Sequence, residues 1–287
     1  MSDSNPVTPQ QGPPPHGKAG RNLPAAIASG VVLGVLVIVS LLWLPWLFGV
    51  LAAAAILLAL YELIGAFTQR GIRIARTPLF LAVPLAMTLA YLFGPAALVF
   101  SIGLMVVVIM MWRIRRGVDG YVRDVSASIF ALAYLPLMGG FAALILAADD
   151  GPARIVTFIV LTIGNDIGGY AAGVLFGRHP MAPSISPKKS WEGFAGSLIV
   201  QALLGVAAFV WLLDAPWWQG LVMGVVLTVT ATAGDFAESA IKRDLGVKDM
   251  GSLLPGHGGM MDRLDSLVIN AFAAWALFTV FLGPALF

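Results

Sequence analysis

Between Gly234 and Ser266 the chain reads GDFAESAIKRDLGVKDMGSLLPGHGGMMDRLDS, a polar passage set between long apolar runs. Asp235, Glu238, Ser239 and Lys242 follow at intervals that place two carboxylates, a hydroxyl and an ammonium on one helical face. Carboxylates at membrane depth are costly unless paired or metal-bound, so an ionisable residue there points to function. The plain alternative is a salt-bridged helix end, Glu238 with Lys242. Leu254-Pro-Gly-His-Gly-Gly259 cannot continue a helix, because Pro255 lacks a donor, and its glycines permit close backbone approach to a ligand. Asp262 and Asp265 then open another helix, with Arg263 between them. The helix macrodipole explains either carboxylate singly, but not the whole set. Carboxylates converging from two helices suit a hard cation such as Mg²⁺, which takes oxygen ligands and keeps water and substrate phosphates. Lys242, Arg243, Lys248 and Arg263 bring positive charge for phosphate oxygens, a combination suited to phosphoryl or nucleotidyl transfer.

Other chemistries are absent from the sequence. The Gly-His-Gly-Gly turn lacks the GK[ST] of a Walker P-loop, and neither GxSxG nor HExxH occurs. The chain has no cysteine, which excludes disulfides and thiolate metal sites. His257 is a poor zinc candidate, since the other histidines are His16 and His179, and it reads instead as a phosphate contact or loop anchor. The formal charge of +2 is too small to argue for nucleic acid.

The elements that must position these residues are membrane helices. The 287 residues are 59% hydrophobic and 11% charged, with a mean hydropathy of +0.90. Soluble domains carry about 25% charged residues, and the apolar runs here approach the roughly 20 residues that cross a bilayer. The expected class is all-α and polytopic, with about nine transmembrane helices; a β-barrel's short alternating strands are missing. Residues 1–22, rich in Pro, Gly and Gln, are expected to be a disordered cytoplasmic tail. The run from Ala25 to Phe67 is broken by Trp43-Leu-Pro-Trp46 into two spans. Pro78–Phe93 and Ala96–Trp112 are divided by Gly94-Pro95, and Val125–Ala148 makes a fifth span. Ile155–Phe176, Gly193–Leu213, Trp217 to about Ala233, and Leu267–Phe287 complete the nine. Residues 23–148 thus form N-terminal transmembrane helices and 149–287 a C-terminal catalytic transmembrane region. On this count every Lys and Arg except Arg154 falls on one side, while Asp149, Asp150 and Asp214 fall on the other. The positive-inside rule makes the basic side cytoplasmic. It accounts for the arginines at 70–76 and 113–123; attraction for anionic lipid headgroups is the functional alternative. Asp166 lies deep in the sixth span, so it is expected to face a cavity. Lys188 and Lys189, in a Pro/Ser loop, either hold phosphates or follow the topology rule. Trp191 reads first as an interface anchor and second as a stacking partner for a base.

The run Ser239-Ala-Ile-Lys-Arg243, Lys248-Asp249 and Leu254-Pro-Gly-His-Gly-Gly259-Met-Met-Asp-Arg-Leu-Asp265 resembles the signature of phosphatidate cytidylyltransferases, also called CDP-diacylglycerol synthases. Gly177-Arg-His179 and Ser186-Pro-Lys-Lys-Ser-Trp-Glu-Gly193 resemble a second family block, with Ser190 where threonine is common. Asn165-Asp166, Gly168-Gly169-Tyr170 and Gly173 resemble the motif before it. The likeness is strong over about residues 160–270, and the earlier spans match only in hydrophobicity.

The resemblance implies a Mg²⁺-dependent enzyme of phospholipid biosynthesis that transfers CMP from CTP to phosphatidate, giving CDP-diacylglycerol and pyrophosphate. It further implies a homodimer, a second, monovalent cation such as K⁺, and a polar cavity open to the cytosol and to lipid. By position, Asp235, Asp262 and Asp265 are the expected metal ligands, and with Lys242 and Arg243 the catalytic set. Ser239, Glu238, Lys248, His257, Gly258, Gly259, Arg263, Asp166, Lys188 and Lys189 are expected to bind substrate. The expected location is a bacterial inner (plasma) membrane, with the N-terminus and active site cytoplasmic and the C-terminus opposite. Two other readings fit parts of the sequence. A CTP-dependent lipid kinase would use the same cations at the γ-phosphate, and an ion-coupled transporter would show paired half-spans with internal symmetry, which is absent.

Overall fold

The computed structural model describes residues 23–251 and 259–283. The expected disordered tail and residues 284–287 lie outside them. Helix α1 (Leu23–Trp43) leads directly into α2 (Pro45–Gln69), which has Pro45 in its first turn, where no intrahelical donor is needed. Then come α3 (Arg76–Ile114), α4 (Tyr121–Leu132), a π-helical turn at Ala133–Leu137 containing Pro136, and α5 (Met138–Leu146). The second half comprises α6 (Gly151–Phe176), β1 (Pro180–Ala182), β2 (Ser186–Ser190), α7 (Trp191–Trp211), α8 (Trp217–Leu245) and α9 (Met261–Leu282). With the α4–α5 region taken as one segment, seven segments among the described residues are long and apolar enough to span a membrane. Their outer faces carry large exposed apolar groups such as Phe100, Leu203 and Val280, an exposure that water would penalise and lipid rewards. The chain is a helical integral membrane protein.

Helix α3 is not straight. Gly94 has φ 81° and ψ −166°, a conformation open essentially to glycine, and Pro95 follows it. A straight 39-residue helix would be about 58 Å long. Yet the two ends of α3 meet through one carboxylate. Asp124 accepts from Arg73 N at 3.1 Å, just before α3, and from Arg113 Nε at 2.8 Å, in its last turn. The chain therefore reverses at Gly94, where the Gly-Pro pair is expected to divide two spans.

Close helix contact in the second half rests on small residues. A side chain on Gly205 would strike the Gly220 carbonyl and one on Gly220 the Gly205 carbonyl, so α7 and α8 touch backbone to backbone. Gly168 on α6 and Gly196 on α7 repeat the arrangement. Lipid supplies no hydrophobic drive between helices, so close packing and polar bonds hold them together. Asn270 of α9 accepts from Thr230 of α8 at 2.6 Å and donates to Thr162 of α6 at 3.4 Å. The largest apolar cluster is not confined to the N-terminal half. It joins residues of α2, α3 and α5 with Leu245, Met250, Met261 and Val268.

One sequence expectation needs correction, and two are extended. Residues 186–190 are not a loop but a strand, paired antiparallel with β1 (Pro180 opposite Ser190, Ala182 opposite Ser186), so a small hairpin joins an otherwise helical fold. Helix α8 continues beyond its apolar span to Leu245, as the helical spacing of Asp235, Glu238 and Lys242 implies, and α9 opens at Met261, beside Asp262 as expected. In both cases hydropathy marks the apolar part of a helix, while the polar turns persist because their charges are paired across the helices.

Candidate active site

The polar ends of α8 and α9 are held together by a lysine. Lys242 Nζ pairs with Glu238 one turn earlier on α8 and reaches Asp262 Oδ1 of α9 at 2.9 Å. The Glu238–Lys242 pair suggested by the spacing is therefore real, but its ammonium is shared with a second helix. Asp262 Oδ2 also accepts from the backbone N–H groups of Gly259 at 3.1 Å and Met250 at 3.3 Å. The carboxylate thus ties together Met250 and Gly259, which flank the Pro-Gly-His-Gly sequence. His257 and Gly258 lie outside the described residues. Gly259 is buried, and a side chain there would strike Asp262 and Glu62.

A second pair stands one turn earlier on α8. Asp235 binds Lys189 of β2, whose Nζ also lies 5.3 Å from the centre of the Phe236 ring. The hairpin carries this lysine to α8. Ser190 Oγ then accepts from Gly193 N at 3.1 Å, capping α7 and ending the strand. Behind Lys189 is a cavity of about 230 Å³ whose wall includes Asp166, Tyr170, Lys188, Ser197, Thr232 and Asp235. Asp166, deep in α6, is open to this cavity, as its cost in an apolar span requires. Asp265 lies between the two pairs, within electrostatic reach of Asp235, Glu238 and Asp166. Gly234 permits this proximity, since a side chain there would meet the Asp265 carbonyl oxygen at 2.8 Å.

The structure therefore brings together Asp166, Lys188, Lys189, Asp235, Glu238, Lys242, Asp262 and Asp265. Ser239 is half-buried on the same helix, whereas Arg243, Lys248 and Arg263 are exposed around it. Among the described residues no three carboxylate or imidazole groups converge as a metal shell. The carboxylates instead form two sets, one on Lys189 and one on Lys242. The donor chemistry nevertheless fits a hard cation. Five carboxylates face four cationic side chains, Lys188, Lys189, Lys242 and Arg263, and the buried Glu238 Oε1 has no partner among the described residues. Mg²⁺ needs only one or two protein carboxylates when water and phosphates complete its shell.

Two contributors come from the first half of the chain. Glu62 of α2 is 4% exposed, and its Oε2 accepts from Met261 N at 2.9 Å, satisfying a donor in the first turn of α9. Its other oxygen has no partner among the described residues. Arg70 Nε donates to the Leu245 carbonyl at 2.6 Å, at the end of α8 where Gly246 takes a left-handed cap (φ 66°). Sequence reasoning missed both. Glu62 left a signal, as a lone acid in an apolar span, whereas Arg70 was hidden among topology-determining arginines.

The Cytidylyltransferase family model matches residues 24–281. The phosphatidate cytidylyltransferase of Mycobacterium leprae (strain TN) is 40% identical over 279 residues, spanning 92% of this chain and 89% of the relative. That of Mycobacterium tuberculosis (strain ATCC 25618 / H37Rv) is 40% identical over 276 residues, spanning 92% and 84%. A more distant relative of the same name, from Helicobacter pylori (strain ATCC 700392 / 26695), is 34% identical over 152 residues, 53% of this chain and 56% of its own. The matched range, residues 24–281, spans both halves of the chain. The chain belongs to the cytidylyltransferase family.

Proposed function

We propose that this protein is a phosphatidate cytidylyltransferase, transferring CMP from CTP to phosphatidate and releasing pyrophosphate. The observation that carries the reading is Lys242, which binds a carboxylate of α8 and one of α9, the latter also accepting from the backbone of Gly259. A phosphate oxygen of phosphatidate attacks the α-phosphorus of CTP, a new P–O bond forms, and the bond to the β-phosphate bridging oxygen breaks. The attacking phosphate monoester is already anionic near neutral pH, so no strong general base is required. The protein's part is positioning and charge neutralisation. Lys188 and Lys189 line the cavity from the hairpin and would hold triphosphate oxygens there, while Lys242 supplies positive charge at the paired ends of α8 and α9. Asp235, Asp262 and Asp265 are the carboxylates that would hold Mg²⁺, one or two to an ion, and the ion would supply Lewis-acid neutralisation of phosphate charge; a monovalent cation such as K⁺ completes the proposed set.

Nine crossings follow if α1 and both arms of α3 each span the bilayer. The arginine-rich end then faces the cytosol of a bacterial cell, with the N-terminus and the site on that side and the C-terminus opposite. Residues 149–287 carry the reacting groups, residues 23–148 hold them, and two copies form the working enzyme. The deciding assay uses purified protein in detergent with CTP, phosphatidate and Mg²⁺. Pyrophosphate and a CMP-bearing lipid are expected. CDP would instead identify a lipid kinase, and release of neither product would remove the enzyme assignment.

A further inference from the structure

At the same end of the bundle, away from the cavity between α6 and α8, a separate recess of about 360 Å³ opens between the α2–α3 turn and the end of α3. Arg73, Arg76 and Arg116 line it, with Thr68, Ile72 and Ile74. Arg76 donates to Thr68 Oγ1 at 3.1 Å, whereas the guanidinium groups of Arg73 and Arg116 have no hydrogen-bond or ion-pair partner among the described residues. The nearby acid cannot neutralise them. Asp124 is fully buried and already occupied by Arg113, Arg123 and the backbone of Arg73. Three positive charges thus share one recess, with the buried Ile74 in its lining.

The frame around them is fixed. Arg73 N bonds to Asp124, Ala75 N to Ser128 Oγ at 3.1 Å, Ile72 N to Phe67 O at 3.1 Å, and Arg123 Nη2 to Gly71 O at 3.0 Å. Topology alone needs arginines on one side of the membrane; it does not need three of them presented from an anchored turn. Guanidinium groups match phosphate oxygens in shape and charge, and basic recesses between membrane helices take phosphorylated head groups.

We infer that this recess is a phosphate-binding site, distinct from the catalytic cavity, that takes the phosphate of an anionic phospholipid or free phosphate. The site stands independently of the reaction proposed above. The test uses the full chain in lipid nanodiscs containing phosphatidylglycerol and phosphatidylcholine, with retained lipid read by native mass spectrometry. The wild type is expected to retain phosphatidylglycerol preferentially. Arg73→Gln/Arg116→Gln is expected to retain about 25-fold less, since each basic residue contributes about five-fold. Arg115→Gln, at the same end but outside the recess, should retain the wild-type amount. Millimolar inorganic phosphate separates the sources: displacement of the lipid marks free phosphate as a ligand, and retention marks the phospholipid. Equal retention by the double variant and the wild type overturns the site, and so does an equal loss in Arg115→Gln. If the double variant does not accumulate, Arg116→Gln alone serves, with a loss of about five-fold expected. Pyrophosphate release is a separate readout and is expected to stay at the wild-type rate in these variants.

Discussion

Lys242 stands between two carboxylates on different helices, and that position sets what its replacement should do. Lys242→Met leaves Glu238 and Asp262 facing each other at a buried site, where stranding one side of an ion pair costs about 3 kcal/mol. The expected result is a lower unfolding midpoint in detergent together with a loss of turnover of about 100-fold or more, the scale of a lost charge-stabilising group. Asp235→Asn and Asp262→Asn should abolish turnover while the protein still inserts and elutes as a folded species. Near-normal pyrophosphate release in either would remove the metal assignment. Glu62 acts at one remove, through the first turn of α9. Glu62→Ala strands the buried Met261 N–H at a cost of about 1–3 kcal/mol. Glu62→Gln keeps an acceptor and should restore most of the stability. A turnover loss in Ala that Gln repairs identifies Glu62 as a positioning residue. Equal activity in all three proteins removes that role.

At the scale of elements, backbone contacts between α7 and α8 have no room for a side chain. Gly205→Val should lower the unfolding midpoint sharply, because the added atoms meet the Gly220 carbonyl and α8 carries Asp235 and Lys242. Gly94→Ala strains the reversal of α3 by about 1–3 kcal/mol, and it tests whether the two arms need that turn to bring Arg113 and Arg73 onto Asp124. Much of this level was legible in sequence. Pro45, Gly94-Pro95 and the three-and-four spacing of Asp235, Glu238 and Lys242 are local signals, and each local expectation appears in the structure. What was not legible is long-range. Nothing near Glu62 or Arg70 in the chain reveals that they end beside Met261 and Leu245. Alternation over Ser186–Ser190 was too short and polar to distinguish a strand from a loop. Hydropathy alone ends the α8 span near Ala233, and the charge spacing is what carries the helix on through Lys242.

For the whole molecule, the ionic groups separate by end. Arg70, Arg113, Lys189 and Lys242 all bond at one end, while Arg154 pairs with Asp150 at 2.6 Å and donates to the Gly283 carbonyl at the other. The lack of native cysteine makes the proposed orientation directly measurable. Lys248→Cys and Asp149→Cys, in intact bacterial cells, should react oppositely with a membrane-impermeant maleimide: Asp149→Cys is labelled and Lys248→Cys is protected until the membrane is opened. The reverse pattern would invert the topology.

The bond between Glu62 and Met261 joins residues 199 positions apart, and with Arg70 on Leu245 it makes the early helices the floor beneath the late ones. Such a protein can be cut but not shortened. Severed at the α5–α6 connection, after Ala148, its two pieces retain complementary faces and should reassemble into an active enzyme when produced together. The later piece alone, although it holds every carboxylate and lysine of the proposed chemistry, should be inert.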